Sequence, residues 1–141
     1  MRWRTGALFA VLILLIWGLT GPHFYMELDG KSYHPGEEAV LTIRNTGPLP
    51  IYFGQPYTLY RLENGTWVRV RLGFFFNARL YDLLPFGSWR QEITLGYLPE
   101  NESSVVSRLH ALPPGKYKLV KEICGFPRGC VNGSTEFEIL P

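Results

Sequence analysis

The sequence predicts an all-β fold, a sandwich or a barrel, with one hydrophobic helix in front of it. Turn signals recur at short intervals after residue 22, and the runs between them are rich in Val, Ile, Tyr, Phe and Thr, as in folds built from short strands. Several of these runs alternate apolar and polar residues, which is the pattern of a strand with one buried face. With 141 residues, of which 46% are hydrophobic, the chain has room for one folded domain.

Residues 1 to 21 have the pattern of an export segment. Arg2 and Arg4 precede an apolar run at residues 7 to 19, the order of charged and hydrophobic regions in a signal peptide. As a helix, residues 5 to 21 are about 26 Å long, shorter than the bilayer core of about 30 Å. Two interpretations therefore stay open, a signal peptide that is removed and an anchor that remains in the membrane. Both place residues 22 to 141, the predicted sandwich domain, outside the cytoplasm.

Three runs alternate most regularly, and we expect each to be a strand with its apolar face toward the core. The segment from Phe75 to Leu84 is instead compatible with one short helix. The Asn132-Gly133 pair is interpreted as a turn. The core-facing sets are Phe24, Met26 and Leu28, then Ala39, Leu41 and Ile43, and finally Thr135, Phe137 and Ile139.

Residues 57 to 72 predict a β-hairpin. Asn64-Gly65 has the residue types that a type I′ turn needs at its two positions with positive φ. A two-residue loop then pairs Tyr60 with Arg69 across the two strands. We assign one face to the core, with Tyr57, Leu59, Val68, Val70 and Leu72, and the other face to solvent, with Tyr60, Leu62, Trp67, Arg69 and Arg71.

Cys124 and Cys130 are the only cysteines, and we predict that they form a disulfide. They enclose a short turn that contains Gly and Pro, and an isolated pair of this kind fits an oxidising compartment. Closing so short a loop stabilises a fold by about 2 kcal/mol in the chain-entropy model. Three asparagines in predicted turns are candidate glycosylation sites, namely Asn64, Asn101 and Asn132.

Three stretches of the chain, taken in order, resemble a known family. They are Tyr33 to Glu37 with Leu41 to Asn45, then Ile51 to Tyr57 leading into Leu62 to Trp67, and then Leu112 to Leu119. Together they are similar to the bacterial Ig-like domain of exported bacterial and archaeal proteins, over residues 24 to 140. The resemblance implies an Ig-like antiparallel β-sandwich of about seven strands outside the cytoplasm. It brings no catalytic residues with it.

Gly115 and Tyr117 fit this fold on physical grounds. We predict that Gly115 forms the turn into the penultimate strand and that Tyr117 stands at the start of that strand. At such a position a tyrosine corner returns the hydroxyl to the backbone a few residues upstream. The two cysteines are six positions apart and cannot join two sheets, so apolar packing must hold the sheets together.

The sequence points away from catalysis, metals and nucleic acids. His23, His34 and His110 are scattered, with no second histidine or cysteine in ligand spacing, so we predict no metal, no cofactor and no catalytic residue. Arg2 and Arg4 account for the whole net charge of +2. The rest of the chain is neutral, whereas the binding of phosphate backbones needs a concentrated basic surface. We therefore expect neither a nucleic-acid partner nor enzymatic activity.

Two surfaces are candidates for binding a protein or another component of the cell envelope. The outer hairpin face carries residue types that are enriched in binding hot spots; its alternative roles are cation–π pairing that only covers the sheet and burial under residues 74 to 86. The disulfide loop is a rigid tip that loses little entropy on binding, and its alternative role is stability alone. The candidates are Tyr60, Trp67, Arg69 and Arg71 on the hairpin, and Phe126 and Arg128 on the loop.

The segment from residue 74 to residue 86 is unusually apolar for a surface connection. So much apolar area is rarely left exposed on a monomer, and we expect it to close one end or edge of the sandwich. Contact with a partner or a membrane is the alternative. Its apolar residues are Phe74, Phe75, Phe76, Leu80, Leu83, Leu84 and Phe86.

These observations predict an exported or membrane-tethered Ig-like module, extracellular or at the cell surface, that binds or supports rather than catalyses. Its partner would be a protein or envelope component, and residues 1 to 21 would supply the membrane tether. The alternative function is that of an extracellular protease inhibitor that uses the disulfide-closed loop as a wedge. A projecting loop would favour this alternative, and a tip folded back onto the protein would count against it.

Overall fold

The computed structural model describes residues 2 to 73, 76 to 102, 109 to 126 and 129 to 141. Within these residues there are one helix and twelve strands, which confirms the prediction of an all-β domain behind a single helix. The helix is α1, Arg2–Thr20. The strands are β1 Phe24–Leu28, β2 Ser32–Tyr33, β3 Glu38–Asn45, β4 Ile51–Gly54, β5 Thr58–Glu63, β6 Thr66–Arg69, β7 Leu80–Leu83, β8 Ser88–Thr94, β9 Gly96–Tyr97, β10 His110–Ala111, β11 Gly115–Gly125 and β12 Gly129–Ile139.

Two sheets build the domain. The smaller sheet has the order β1-β3-β8, and the larger has the order β2-β12-β11-β4-β7, with β5 and β6 beside β11. Paired strands are antiparallel except for β2, which runs parallel to β12. The apolar faces of both sheets contribute to one core, so the arrangement is a two-layer, sandwich-like one. Strands β9 and β10 form a separate pair.

The alternating runs bury the faces that their spacing predicts. In β3, Ala39, Leu41 and Ile43 are fully buried. In β12, Phe137 is buried and stacks on Tyr117 of β11, with the ring centroids 5.5 Å apart. Burying an aliphatic or aromatic side chain contributes about 1.5 to 3 kcal/mol, so packing between the sheets is the main source of stability.

One edge of β11 is shared by two strands. Its first half pairs with β5, and its last two residues pair with β4. Between these two ladders, the five residues 53 to 57 face only the three residues 121 to 123 of β11. The longer segment therefore bulges out between β4 and β5. This bulge directs the carbonyl groups of Gln55 and Pro56 toward the side chain of Lys121.

The interpretation of Asn132-Gly133 as a turn is wrong. Both residues lie inside β12, opposite Glu122 and Lys121 of β11. A Cβ atom at Gly133 would lie 2.6 Å from Cε2 of Phe24, so the glycine makes room for this ring. Asn132 remains an exposed candidate for glycosylation, on a strand instead of in a turn.

The prediction of a short helix from Phe75 to Leu84 is also wrong. Leu80–Leu83 forms β7, which pairs antiparallel with β4. Phe75, like Phe74, lies outside the described residues. The hydrogen bonds available at the edge of β4 outweigh the local helical spacing, as tertiary context often does for short apolar runs.

The apolar segment closes the sandwich only in part. Leu83 is buried, and the ring of Phe76 packs edge-on against Tyr57 with the centroids 4.9 Å apart. Leu84 and Phe86, in contrast, are 70% and 69% exposed. The expectation that the segment closes one end or edge of the sandwich is therefore met by Phe76 and Leu83 and is wrong for Leu80, Leu84 and Phe86, which are exposed.

The assignment of Val68 to the core is wrong as well. Its side chain is 42% exposed, although Tyr57 and Leu59 of the same predicted face are buried. Strand β6 is the outer strand of the hairpin, and the three-stranded sheet does not extend over it. Val68 therefore borders an open cleft together with Tyr97 and Leu112.

Helix α1 is apolar along most of its length, and its described side chains are exposed. The hydroxyl of Thr20, its last residue, donates a hydrogen bond to the carbonyl oxygen of Trp17 at 2.7 Å. Nε2 of His23 lies 2.7 Å from the same oxygen, so the link between α1 and β1 is short. No helix in the described part of the chain is both long and apolar enough to cross a membrane.

Candidate functional site

The hairpin of β5 and β6 pairs as its turn predicts. Tyr60 lies opposite Arg69. Asn64 and Gly65 have φ angles of 49° and 77°, the left-handed conformation that a type I′ turn needs. Tyr60 and Trp67 are both half-buried on the outer face of this hairpin.

A lysine that the sequence analysis missed lies over these two aromatic rings. Nζ of Lys118 is 4.7 Å from the ring centroid of Trp67 and 5.5 Å from that of Tyr60. Lys118 stands opposite Tyr60 in the pairing of β11 with β5. The sequence analysis could not place it there, because this pairing depends on the order of the strands in the sheet. The cation–π contact holds both rings against the sheet, as in the covering role considered for this face.

Arg71, a candidate of the same face, does not join this cluster. Nη1 of Arg71 donates hydrogen bonds to the carbonyl oxygens of Pro99 and Glu100, both at 3.1 Å, and of Glu102 at 3.2 Å. Arg69 is exposed at the end of β6. The guanidinium of Arg71 therefore fastens a connection of the domain and is not displayed beside Trp67.

An open cleft of about 360 Å³ lies on one side of Trp67, between β1 and the last part of β12. We call it the Trp67 cleft. Tyr25 stands at its rim, 55% exposed, and its hydroxyl donates a hydrogen bond to Oε2 of Glu27 at 3.1 Å, which raises the pKa of Tyr25. Charged side chains of both signs also line the cleft, namely Glu27, Lys31, Lys116, Glu136 and Glu138. Such a lining can stack against and hydrogen-bond a polar ligand or a peptide segment.

The predicted disulfide joins Cys124 and Cys130, which lie directly opposite each other in the ladder of β11 and β12. Phe126, at the tip beyond it, is 72% exposed. It borders a cleft of about 310 Å³ that is also lined by Leu49 and by side chains of α1. The tip therefore lies beside the helix. Arg128, the second candidate of this loop, is outside the described residues.

The disulfide occupies both cysteines that lie beside the carboxylate of Glu122. Glu122, Cys124 and Cys130 are the one group of three ligand-type residues in the described chain whose ligand atoms lie within 4.8 Å of one another. Both sulfur atoms are bonded to each other, so neither is a thiolate, which is the form that binds a metal ion.

Lys121 is a buried charge that the sequence analysis missed. Only 1% of its surface is exposed. Nζ donates hydrogen bonds to the carbonyl oxygens of Gln55 at 3.0 Å and Pro56 at 3.1 Å, and to Oε1 of Gln91 at 3.1 Å. The alternation of β11 could have indicated this buried role, because Lys121 is the one charged residue on the inward face of the strand, in line with Leu119.

The surroundings of this ammonium group are otherwise apolar. The rings of Phe53 and Trp89 have their centroids 5.7 Å and 5.4 Å from Nζ. Burial lowers the pKa of Lys121 to about 8, because the charged form loses its hydration. Nε2 of Gln91 donates in turn to the Gln55 carbonyl at 2.9 Å. The three acceptors match the three ammonium protons, so Lys121 acts as a clamp on the bulge between β4 and β5.

Tyr117 has the contact that its position predicts. It is fully buried, and its hydroxyl donates a hydrogen bond to the carbonyl oxygen of Pro113 at 2.6 Å, which is the geometry of a tyrosine corner. Gly115, two residues earlier, starts β11 with a φ of 152°. Burial raises the pKa of the Tyr117 hydroxyl, so the hydroxyl keeps its proton and remains a donor.

The family follows from a comparison of the whole sandwich. A family model described as Bacterial Ig-like domain matches residues 20–138. The chain belongs to the bacterial Ig-like domain family. The resemblance seen in the sequence is thereby confirmed. No curated protein matches this Ig-like domain.

The chain matches solved structures only at low similarity. The alkylpurine DNA glycosylase AlkC of Pseudomonas fluorescens, bound to DNA with an abasic site analog, is 16% identical with a TM-score of 0.39, over 91% of this chain and 33% of its own. A mutant β-glucosidase of Listeria innocua in complex with laminaribiose is 13% identical with a TM-score of 0.41, over 84% of this chain and 16% of its own. The Ig-like domain thus spans a third or less of either chain, and we transfer no function from them.

Proposed function

We propose that this Ig-like domain is a non-enzymatic binding or structural module that α1 delivers to, and holds at, the outer face of a membrane. The surface of α1 carries the proposal. Its large apolar side chains have exposed fractions from 39% at Trp17 to 91% at Trp3, and residues 7 to 17 include no charged side chain. So large an apolar area is rarely left in water, and a bilayer suits a helix that is apolar on all sides.

Charge and redox chemistry support the same placement. Although α1 is short for a full span, a bilayer can thin around a short hydrophobic segment. Arg2 and Arg4 stand at the end of α1 that is remote from the sandwich, and basic residues favour the cytoplasmic side of a membrane. The sandwich then lies outside, where a disulfide such as Cys124–Cys130 persists. Nothing in the described part of the disulfide loop supports the protease-inhibitor alternative, since Phe126 borders α1.

Fractionation of cells that express the full chain tests the delivery and the tether. We expect the chain in the membrane pellet after an alkaline wash, with cysteines that react with alkylating reagents only after reduction. Protease added outside should digest the sandwich, and an Arg2→Glu/Arg4→Glu chain should be protected from it. A secreted chain without residues 1 to 21 would reject the tether alone, whereas a cytosolic chain with free thiols would reject delivery as well.

We propose the Trp67 cleft as the surface that binds the partner. Lys118 already fixes the Trp67 ring, so little side-chain entropy is lost when a ligand stacks on its open side. The test is recovery of envelope components by the full chain, compared with Trp67→Ala and with Tyr52→Ala. Tyr52 is a matched control, since it is 41% exposed on another part of the larger sheet. Only Trp67→Ala should lose recovery, and equal recovery by both variants would reject the cleft.

A further inference from the structure

We propose that the end of the sandwich next to α1 is a lipid-contacting surface formed by Leu84, Phe86 and Phe126. We call this surface the apolar end. The inference deepens the proposed membrane tether and rests on it, because a bilayer reaches these side chains only if α1 is held there.

Three connections meet at the apolar end, and a buried side chain joins two of them. Nδ2 of Asn45 donates hydrogen bonds to the carbonyl oxygens of Leu49 at 2.8 Å and Leu83 at 3.0 Å. Its backbone N–H donates to the carbonyl oxygen of Gly87 at 3.0 Å. The connection after β3 is thereby fixed against the turn after β7, and Phe126 borders the same connection at Leu49.

Helix α1 enters the sandwich at this same end. The backbone N–H of Thr46 donates to the carbonyl oxygen of His23 at 3.2 Å. Pro22 packs beside Gly125, where an added Cβ would lie 2.9 Å from the Pro22 Cβ. The rings of His23 and Trp17 are 5.2 Å apart. A tethered sandwich would therefore turn the apolar end toward the membrane.

The three side chains of the apolar end are displayed. Leu84, Phe86 and Phe126 are 70%, 69% and 72% exposed. Phe86 has a φ of 62°, a left-handed conformation that disfavours a bulky residue. A phenylalanine that is held in this conformation and left in solvent adds no packing to the core, so its ring is available for an external contact.

The opposite end of the sandwich is polar. Strand β11 runs from Gly115 at that end to Gly125 at the apolar end. The connections near Gly115 carry exposed polar and charged residues, among them Glu63, Asn64, Arg69 and Glu100. The domain thus presents apolar side chains beside the helix and charged groups of both signs at the far end, which suits a domain that stands on a bilayer.

The length of α1 brings the apolar end down to the lipid. Its 19 residues include the two arginines at the remote end, so the uncharged part from residue 5 to residue 20 is about 24 Å long, shorter than the bilayer core of about 30 Å. A short hydrophobic segment draws its flanking residues toward the interface. Phe and Leu side chains at that depth bury apolar area at the boundary of the acyl chains, and this contact supplements a helix that falls short of a full span.

Lipid quenching of single labels tests the proposal on the full chain. Leu84→Cys and Glu63→Cys place one fluorophore at the apolar end or at the polar end, while the native disulfide keeps its own cysteines unreactive. Flotation with phosphatidylcholine vesicles first measures the tether, and spin-labelled lipid then quenches each label. We expect roughly threefold stronger quenching at position 84 than at position 63.

Phe86→Asn provides a second variant, because asparagine tolerates a positive φ and the fold should keep its melting temperature. The quenching at position 84 should fall by about half when the Phe86 ring no longer enters the lipid. A chain that floats but is quenched equally at both positions overturns the inference and leaves the tether intact. A chain that does not float overturns both the inference and the tether. If the label at position 84 becomes shielded from solvent as protein concentration rises, without quenching by lipid, the apolar end binds a second copy of the chain and the inference is overturned.

Discussion

Replacing Lys121 with methionine would remove the clamp on the bulge while keeping the length of the side chain. The carbonyl oxygen of Pro56 and Oε1 of Gln91 would lose their donor, whereas the carbonyl of Gln55 keeps the Gln91 amide. A buried acceptor without a partner costs about 1 to 3 kcal/mol, so two of them cost about 2 to 6 kcal/mol. Methionine recovers part of this loss of stability, because burying its uncharged side chain costs less than burying an ammonium group. We expect a net loss of about 3 kcal/mol in the free energy of unfolding.

Denaturant unfolding at pH 7, followed by tryptophan fluorescence, measures this loss. Lys116→Met is the matched control, since Lys116 is exposed on the same strand, and it should change stability by no more than about 0.5 kcal/mol. A Lys121→Met/Gln91→Leu chain should lose less than the two single variants together, because both side chains belong to one network. A Lys121→Met chain as stable as the parent would refute the reasoning, as desolvation of the ammonium would then outweigh its hydrogen bonds.

Tyr117→Phe should lower the free energy of unfolding by about 1 kcal/mol or more, because a buried carbonyl loses its donor, and an unchanged melting temperature would remove the tyrosine corner as a source of stability. Gly133→Ala should cost about 1 to 3 kcal/mol through overpacking against Phe24, and adding Phe24→Leu should recover part of this loss in the same denaturation assay. Stability should rise from about pH 8 to pH 10, because the unfolded chain holds the Lys121 proton more tightly than the folded chain does. Above pH 10 the stability should fall, because burial raises the pKa of Tyr57 to about 12 and this group ionises first in the unfolded chain. A Lys121→Met chain whose stability still rose from pH 8 to pH 10 would contradict the assignment of that rise to Lys121.

The features of the fold that the sequence predicts correctly depend only on residues that lie close together in the chain. The alternation of β3 needs only its own residues, and the Asn64-Gly65 turn determines the register of the hairpin that it closes. Gly133 and Lys121 could not be interpreted in this way. The glycine accommodates a ring from β1, and the lysine meets carbonyl groups from a distant bulge, so both roles depend on which strand lies opposite.

The candidate site shows the same division. Tyr60 and Trp67 share a face because of hairpin register, which the sequence reveals. The cation over them, Lys118, comes from β11, and only the order of the strands places it there. Arg71 continues the alternation of β6 beyond the end of that strand, but its guanidinium is hydrogen-bonded to carbonyl groups of a later connection. Val68 is exposed because the second sheet ends before β6.

The divided edge of β11 has a consequence for how the domain opens. The β5–β6 hairpin and the antiparallel pair β4–β7 are two separate units of the larger sheet, and they meet at the bulge that Lys121 holds. The carbonyl groups of Gln55 and Pro56, which accept hydrogen bonds from Lys121, lie in the connection between the two units. If either unit detaches, these hydrogen bonds break, and the other unit loses the same support. The amide protons of both units should therefore exchange with solvent in one shared event, and the domain behaves as a single cooperative body although its sheet is split along one side.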